Sequence, residues 1–196
     1  MPVFDLLTLG YAGAFLLSFA LNMIPFAGPS NLFIASMAAI NIPSANFLAI
    51  GLLVALGSAT AKLIHFYVAF FTGRMLKETH RQRLSAYAKR IGKAGPLLLF
   101  LAAITSIPDE PIVVPLGLMK YNPAKFFAIF FGGKVIVATV GAYLGLYARL
   151  RLGDVIDAPL LVVISIVATI VMTLVLVKVD LNKYIEPVVR RIIGRP

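Results

Sequence analysis

The stretch Asn22-Met-Ile-Pro-Phe-Ala-Gly-Pro-Ser-Asn31 interrupts one apolar segment, and Thr105-Ser-Ile-Pro-Asp-Glu-Pro-Ile112 interrupts another. Each stretch predicts a break in a helix. At membrane depth, irregular backbone persists only where protein or a watery cavity covers its polar groups, because bare N–H and C=O groups are costly in lipid. Paired broken helices in the two halves of a chain are the usual sequence sign of a transporter's substrate site. The residues that form the two predicted breaks are Pro25, Gly28, Pro29, Pro108 and Pro111.

The composition indicates an integral membrane protein. The 196 residues are 60% hydrophobic and 13% charged, whereas a soluble domain has about 45–50% apolar and about 25% charged residues. The N-terminal residues Met1-Pro-Val-Phe-Asp5 lack the basic start of a signal peptide, so we expect the first apolar segment to stay in the protein. The length predicts a single membrane-embedded domain over residues 1–196.

The sequence contains no cysteine, and its two histidines are His65 and His80. This excludes disulfides, thiolate metal sites and cysteine nucleophiles, and we expect neither a metal nor a cofactor. The net charge of +10 does not indicate a nucleic-acid partner. The basic residues flank apolar segments, which is typical of cytoplasmic loops beside anionic lipid.

The apolar segments predict an all-α fold with two re-entrant helical hairpins, each followed by a transmembrane helix. The arms of the hairpins are short; the piece from Ser30 to Ala39, for example, cannot cross a hydrocarbon core about 30 Å thick. The predicted elements are a hairpin at 6–39, a transmembrane helix at 47–73, a basic segment at 74–93, a hairpin at 95–119, transmembrane helices at 126–147 and 160–179, and a tail at 180–196.

The distribution of lysine and arginine predicts an inverted repeat. The segments 74–93 and 180–196 are the richest in these residues, so both should be cytoplasmic. The helix at 47–73 then runs inward and the helix at 126–147 runs outward, which gives the two halves opposite orientations. A short sequence match agrees with a repeat: Asn46-Phe-Leu-Ala-Ile50 resembles Lys125-Phe-Phe-Ala-Ile129.

Six short motifs carry a resemblance to a known family: Gly13-Ala-Phe-Leu-Leu-Ser-Phe-Ala20, Ile24-Pro-Phe-Ala-Gly-Pro-Ser30, Gly57-Ser-Ala-Thr-Ala61, Phe71-Thr-Gly-Arg74, Gly92-Lys-Ala-Gly95 and Phe131-Gly-Gly-Lys134. They resemble motifs of the DedA family, also called VTT-domain or SNARE-associated Golgi proteins, and the last is similar to its short YqaA-like members. The resemblance implies a protein of a prokaryotic plasma membrane that moves lipid across the bilayer. The transport would be either scrambling or export of lipid-linked phosphates such as polyprenyl phosphate.

The chain departs from that family at both breaks. The family commonly has acids around the first proline turn, where this chain has Asn22 and Pro29-Ser-Asn31. Many members have two arginines around the second proline, and the corresponding places in this chain are near Thr105 and Pro111. This chain instead has two acids, Asp109 and Glu110, at the second break. The proton-coupling and headgroup roles of those family residues are therefore not transferred to these positions.

Three cationic or imidazole side chains are candidates for a phosphate site. Lys62 and His65 lie on one face near the middle of the first transmembrane helix. A lysine at that depth should face protein or water, so it binds either the carbonyl ends of a hairpin or a phosphate, and the sequence leaves both open. Lys134 lies about 12 Å into the second helix. It follows Gly132 and Gly133, which permit close approach of a hairpin and favour an inward position over snorkelling.

The acids at the second break have two candidate roles. One of Asp109 and Glu110 is expected to cap the helix that follows, since an acid before a first-turn proline satisfies free N–H groups. Buried carboxylates also need counter-charges, and Lys62 and Lys134 are the available partners. A carboxyl group that stays protonated because burial disfavours its charge would be a proton carrier.

Ser30 and Asn31 open the second arm of the first hairpin. The N-terminus of a helix inside a membrane presents unpaired N–H groups and the positive end of the helix dipole, which together attract anions. Capping by Ser30 is the favoured role, and a capped terminus can still leave donors for a ligand.

The leading hypothesis is a lipid transporter or scramblase with a polar cavity between two opposed hairpins. Its partners are anionic or phosphate-bearing membrane lipids, while proton or cation coupling and self-association are left open. The alternatives are an ion- or proton-coupled transporter of a small solute and an intramembrane lipid-phosphate enzyme; the enzyme is disfavoured, although His65 with either acid stays open. The residues assigned to the substrate are Lys62, His65, Lys134, Ser30 and Asn31, and those assigned to charge balance or proton relay are Asp109 and Glu110.

Overall fold

The computed structural model describes residues 5–25, 28–42, 45–72, 95–105 and 109–152. These residues form helices and turns, with no strand among them. A short 3-10 helix, Asp5–Leu9, comes first; the α-helices are α1 (Tyr11–Asn22), α2 (Asn31–Asn41), α3 (Phe47–Thr72), α4 (Gly95–Ile104), α5 (Glu110–Leu118) and α6 (Pro123–Leu152). The predicted segment 74–93, transmembrane helix 160–179, tail 180–196 and break residue Pro108 lie outside the described residues.

The two predicted breaks separate short helices. The chain leaves α1 at Asn22 and enters α2 at Asn31, and it leaves α4 at Ile104 and enters α5 at Glu110. These four helices have 9 to 12 residues each, or about 14–18 Å at the helical rise of 1.5 Å per residue. Each is about half the length needed to cross a hydrocarbon core of about 30 Å.

Two long helices, α3 and α6, follow the two broken pairs. They have 26 and 30 residues and are long and apolar enough to cross a membrane. Asn46 caps α3, since its Oδ1 accepts bonds from the N–H groups of Leu48 at 2.9 Å and Ala49 at 3.3 Å. Asn122 caps α6 in the same way. The helix predicted at 126–147 therefore begins earlier, because Asn122 supplies the cap and Pro123 suits the first helical position.

The main helix contacts follow the same pattern in the two halves. The first short helix of each half packs on the long helix of its own half, so α1 contacts α3 and α4 contacts α6. The second short helix of each half packs on the long helix of the other half, so α2 contacts α6 and α5 contacts α3. The long helices α3 and α6 contact each other. Two equivalent halves thus cross-pack around a central helix pair.

The equivalent positions of the two halves differ from those that the sequence match suggests. That match pairs Asn46 with Lys125, whereas the helix caps pair Asn46 with Asn122. The interval from Asn46 to Gly57, which faces α1, equals the interval from Asn122 to Gly133, which faces α4. A cap determines where a helix starts, while a run of phenylalanine, alanine and isoleucine recurs by chance in apolar sequence.

Glycines allow the helices of different halves to approach closely. A Cβ atom at Gly141 would lie 2.1 Å from the carbonyl oxygen of Leu32, and one at Gly145 would lie 2.4 Å from that of Ser36. The two glycines are four residues apart on α6, which is the spacing of close helix pairs in membranes. Ser36 also donates a hydrogen bond of 2.6 Å to the Gly141 carbonyl oxygen. This crossing holds α2 against α6.

Candidate functional site

Four buried charged side chains meet where α5 begins; we call them the charged tetrad. Lys62 comes from the middle of α3 and Lys134 from α6, while Asp109 precedes α5 and Glu110 is its first residue. The exposed fractions are only 4% for Lys62 and Glu110, 5% for Asp109 and 6% for Lys134. Because α5 packs on α3, the second break brings its two acids between the two long helices.

The tetrad forms a chain of alternating charges in the order Glu110, Lys62, Asp109, Lys134. The Nζ atom of Lys62 lies 3.1 Å from Oδ1 of Asp109 and also donates to Oε1 of Glu110. The Nζ atom of Lys134 lies 3.1 Å from Oδ2 of Asp109. Asp109 thus uses one oxygen for each lysine. The tetrad has no formal net charge, and each charge is compensated by a neighbour.

Asp109 and Ser30, which lie at the N-caps of the helices after the two breaks, make no capping hydrogen bond with their side chains. Asp109 lies at the N-cap of α5, but its backbone is helical (φ −93°, ψ −12°) and its side chain makes no capping bond. A capping side chain needs a non-helical backbone at that position. Its carboxylate instead binds the two lysines. Ser30 lies at the N-cap of α2, also without a side-chain capping bond.

A ring of neutral polar groups closes the first break; we call it the amide ring. Asn22 Nδ2 donates to Asn31 Oδ1 at 2.9 Å, Asn31 Nδ2 donates to Ser58 Oγ at 2.8 Å, and Ser58 Oγ donates to Asn22 Oδ1 at 3.1 Å. All three residues are buried. The ring joins the end of α1, the start of α2 and the middle of α3, so the first break is held by neutral groups where the second is held by charges.

Gly28 lets the chain return toward α1 before α2 begins. A Cβ atom at this position would lie 2.9 Å from the carbonyl oxygen of Leu21. Contacts this short require the neighbouring backbone to move, so a larger residue would open the turn. Pro25 and Pro29 lie on either side of Gly28. At the second break, Pro111 lies in the first turn of α5, where backbone N–H groups make no hydrogen bond within the helix, so the missing N–H group of proline costs no helical bond.

His65 binds the end of α1 and does not join the tetrad. Its Nε2 atom lies 3.1 Å from the carbonyl oxygen of Met23, which follows α1. Its Nδ1 atom is buried and has no hydrogen-bond partner among the described residues. Neither ring nitrogen bonds Asp109 or Glu110, so the histidine–acid pair that the sequence leaves open is not formed in the described part of the chain.

One face of α3 contacts both breaks. Ser58, Lys62 and His65 follow one another at intervals of four and three residues, which places them on one side of the helix. Ser58 and His65 contact the first break, and Lys62 contacts the second. Four residues correspond to about 6 Å along a helix, so the amide ring and the tetrad contact α3 about one turn apart. The amide ring and the tetrad are neighbours.

Sequence reasoning missed two members of this region. Ser58 lies four residues before Lys62 and therefore on the same face of α3, so helical spacing could have identified it. Phe130 lies four residues before Lys134, and its ring centroid is 4.9 Å from the Lys134 Nζ atom. Of the predicted glycine pair on α6, only Gly133 faces α4; a Cβ atom at Gly132 would meet nothing within 4 Å.

The family model of the VTT domain matches residues 24–147. The chain belongs to the VTT domain family, the DedA family. Proteins of this family are generally membrane proteins. The match extends from the first break through most of α6 and includes every residue of the charged tetrad. Comparison with curated proteins and with solved structures gives no match.

Proposed function

We propose that this VTT-domain protein is an integral membrane protein that moves phosphate-bearing lipid headgroups across the bilayer, as a transporter or scramblase. The observation that carries the proposal is the buried charged tetrad at the contact between the two halves. Well-packed apolar residues in place of a buried ion pair often leave a protein equally stable or more stable. Intramembrane charges that fold stability does not require indicate a substrate or ion pathway.

The membrane arrangement proposed here follows from helix length. The long helices α3 and α6 span the bilayer, and the pairs α1/α2 and α4/α5 are re-entrant hairpins. Large apolar side chains are exposed along the outer faces of the long helices, where lipid would cover them: Leu48, Leu52, Val68, Phe71, Ile136, Val140 and Leu144. With segment 74–93 and the tail on the cytoplasmic side of a prokaryotic plasma membrane, the two hairpins enter from opposite sides.

The tetrad offers a phosphate two cations that are now bound to carboxylates. A lipid phosphate is an acceptor for the same charge-assisted bonds, so it takes the place of a carboxylate on Lys62 or Lys134. Because the four side chains are almost fully buried, the hairpins must separate before a headgroup enters. Because the tetrad is neutral, an entering anion is balanced by a proton on Asp109 or Glu110 or by an accompanying cation. His65, Ser30 and Asn31 line the route at the first break.

The test is lipid exposure in liposomes reconstituted with the purified protein. Fluorescent phospholipid is placed in both leaflets, and a membrane-impermeant reductant then bleaches whatever reaches the outer leaflet. We expect bleaching beyond the outer-leaflet fraction for the wild type. Lys134→Gln should slow it strongly, since the amide keeps a hydrogen bond but loses the charge. Lys125→Gln is the matched control, because Lys125 is exposed near the start of the same helix.

Two further measurements on the same liposomes separate the rival functions. Release of phosphate from a lipid phosphate would identify an intramembrane enzyme, and uptake of a small solute without lipid exposure would identify a secondary transporter. Normal lipid exposure by Lys134→Gln together with loss in Lys125→Gln would remove Lys134 from the site. A wild type that exposes no lipid under any imposed proton gradient would overturn the proposed function.

A further inference from the structure

The two lysines of the tetrad have different surroundings. Lys62 binds both acids, whereas Lys134 is paired with Asp109 alone among the described residues. The other neighbour of the Lys134 ammonium is the Phe130 ring, whose centroid lies 4.9 Å from Nζ. An ammonium within about 6 Å of an aromatic face is attracted by the electron density of that face. Lys134 is therefore held by one anion and one aromatic ring.

The Phe130 ring is locked in its position. It is fully buried, and it stacks on Phe126 with centroids 5.7 Å apart and ring planes 9° apart. Phe126 in turn stacks on Phe66 of α3, with centroids 4.5 Å apart. Phe130 lies one helical turn before Lys134, and side chains on a helix point back toward its N-terminus, so the lysine lies over the ring. The ring cannot swing away from the lysine without displacing Phe126.

We propose that Phe130 is a positioning residue that keeps the Lys134 ammonium inside the protein when Asp109 leaves it, so that Lys134 is the lysine that receives the lipid phosphate. This inference rests on the proposed function. When Asp109 moves away, Lys62 keeps Glu110 and stays neutralised, whereas Lys134 keeps only an uncharged ring among the residues that the structure describes. Without the ring, a lysine without a partner extends its flexible stem toward water. An aromatic face holds the cation without competing with a phosphate as an anion would.

Graded fluorination of residue 130 separates the attraction of the ring from its packing. Mono-, di- and trifluorophenylalanine keep nearly the shape of phenylalanine, while each fluorine withdraws electron density from the ring face. In reconstituted liposomes we expect the rate of lipid exposure to fall stepwise along the series. The total decrease should be about two- to thirtyfold, which corresponds to the interaction energies of exposed and of desolvated cation–π pairs. The same series at Phe126 is the control, since Phe126 packs like Phe130 but has no cation contact among the described residues.

A second readout does not depend on transport. The protein is treated with an amine-reactive succinimidyl ester, and modification of Lys134 is measured by mass spectrometry relative to that of Lys125. Fluorination at Phe130 should raise this ratio, because the ammonium is held less firmly, and fluorination at Phe126 should leave it unchanged. A purely structural ring would change neither the ratio nor the rate along the series.

The two readouts distinguish failure of this inference from failure of the proposed function. A constant labelling ratio along the Phe130 series would overturn the positioning role, whatever the lipid assay shows. A rising ratio with an unchanged rate of lipid exposure would show that Lys134 does not receive the phosphate. If the wild type exposes no lipid and the ratio still rises, the lipid function fails and the positioning of Lys134 by Phe130 stands.

Discussion

Asp109→Ala removes the carboxylate that contacts both lysines of the tetrad. The variant leaves Lys134 without an anion among the described residues and leaves Lys62 with Glu110 alone. Removing one partner of a buried ion pair costs about 3–5 kcal/mol, so we expect the free energy of unfolding to fall by that amount. Glu110→Ala leaves both lysines paired with Asp109, so neither lysine of the tetrad loses its carboxylate partner completely.

A double-mutant cycle with Lys134→Met measures whether the two groups act together. The double variant Asp109→Ala/Lys134→Met removes the carboxylate and also the lysine that would be left unpaired, so it should be more stable than Asp109→Ala alone. The free energy of unfolding is measured for the four proteins in mixed micelles, from the helical circular dichroism signal during titration with SDS. For groups in contact we expect a coupling energy of about 0.5–3 kcal/mol.

The control cycle pairs Asp109→Ala with Lys125→Met. Lys125 is an exposed residue of α6, the helix that contains Lys134. The change in unfolding free energy caused by Lys125→Met should therefore add to that of Asp109→Ala within about 0.3–0.5 kcal/mol. If the Asp109 and Lys134 changes are additive within the same margin, the ion pair of 3.1 Å does not contribute to the folded state. The tetrad would then not act as a coupled unit, and its buried charges would not stabilise one another.

Three further predictions concern the helix crossing, the amide ring and the orientation. Gly141→Ala should destabilise the protein by about 1–3 kcal/mol, since the new methyl group meets the backbone of α2. Gly132→Ala is the control and should be nearly neutral in the same unfolding assay, because its methyl group meets nothing within 4 Å. Asn31→Ala opens the amide ring and should cost about 1–3 kcal/mol, whereas Asn41→Ala, an exposed position on the same helix, should change stability little. A cysteine at Ala86 should react with an impermeant maleimide only from the cytoplasmic side, and reaction from outside would reverse the proposed orientation.

Local signals in the sequence predict the helical elements of the described part of the chain. Proline and glycine act on the backbone of their own neighbours, so the stretches around Pro25 and Pro111 predicted both breaks without knowledge of any contact. The apolar runs that became α3 and α6 are likewise local signals, because helix length follows from a continuous run of residues. Even the start of α6 at Pro123, which the prediction placed later, is encoded in the neighbouring Asn122.

Which polar groups meet depends on how the helices pack against one another. Lys62 and His65 share a face of α3, yet the lysine binds the second break and the histidine binds the first. Asp109 could cap α5 or pair with a lysine, and the packing of α5 against α3 gives its carboxylate two lysines. Such choices depend on contacts between residues far apart in the chain. Those contacts are set by where helices pack closely, as at Gly141, and helical spacing alone cannot determine them.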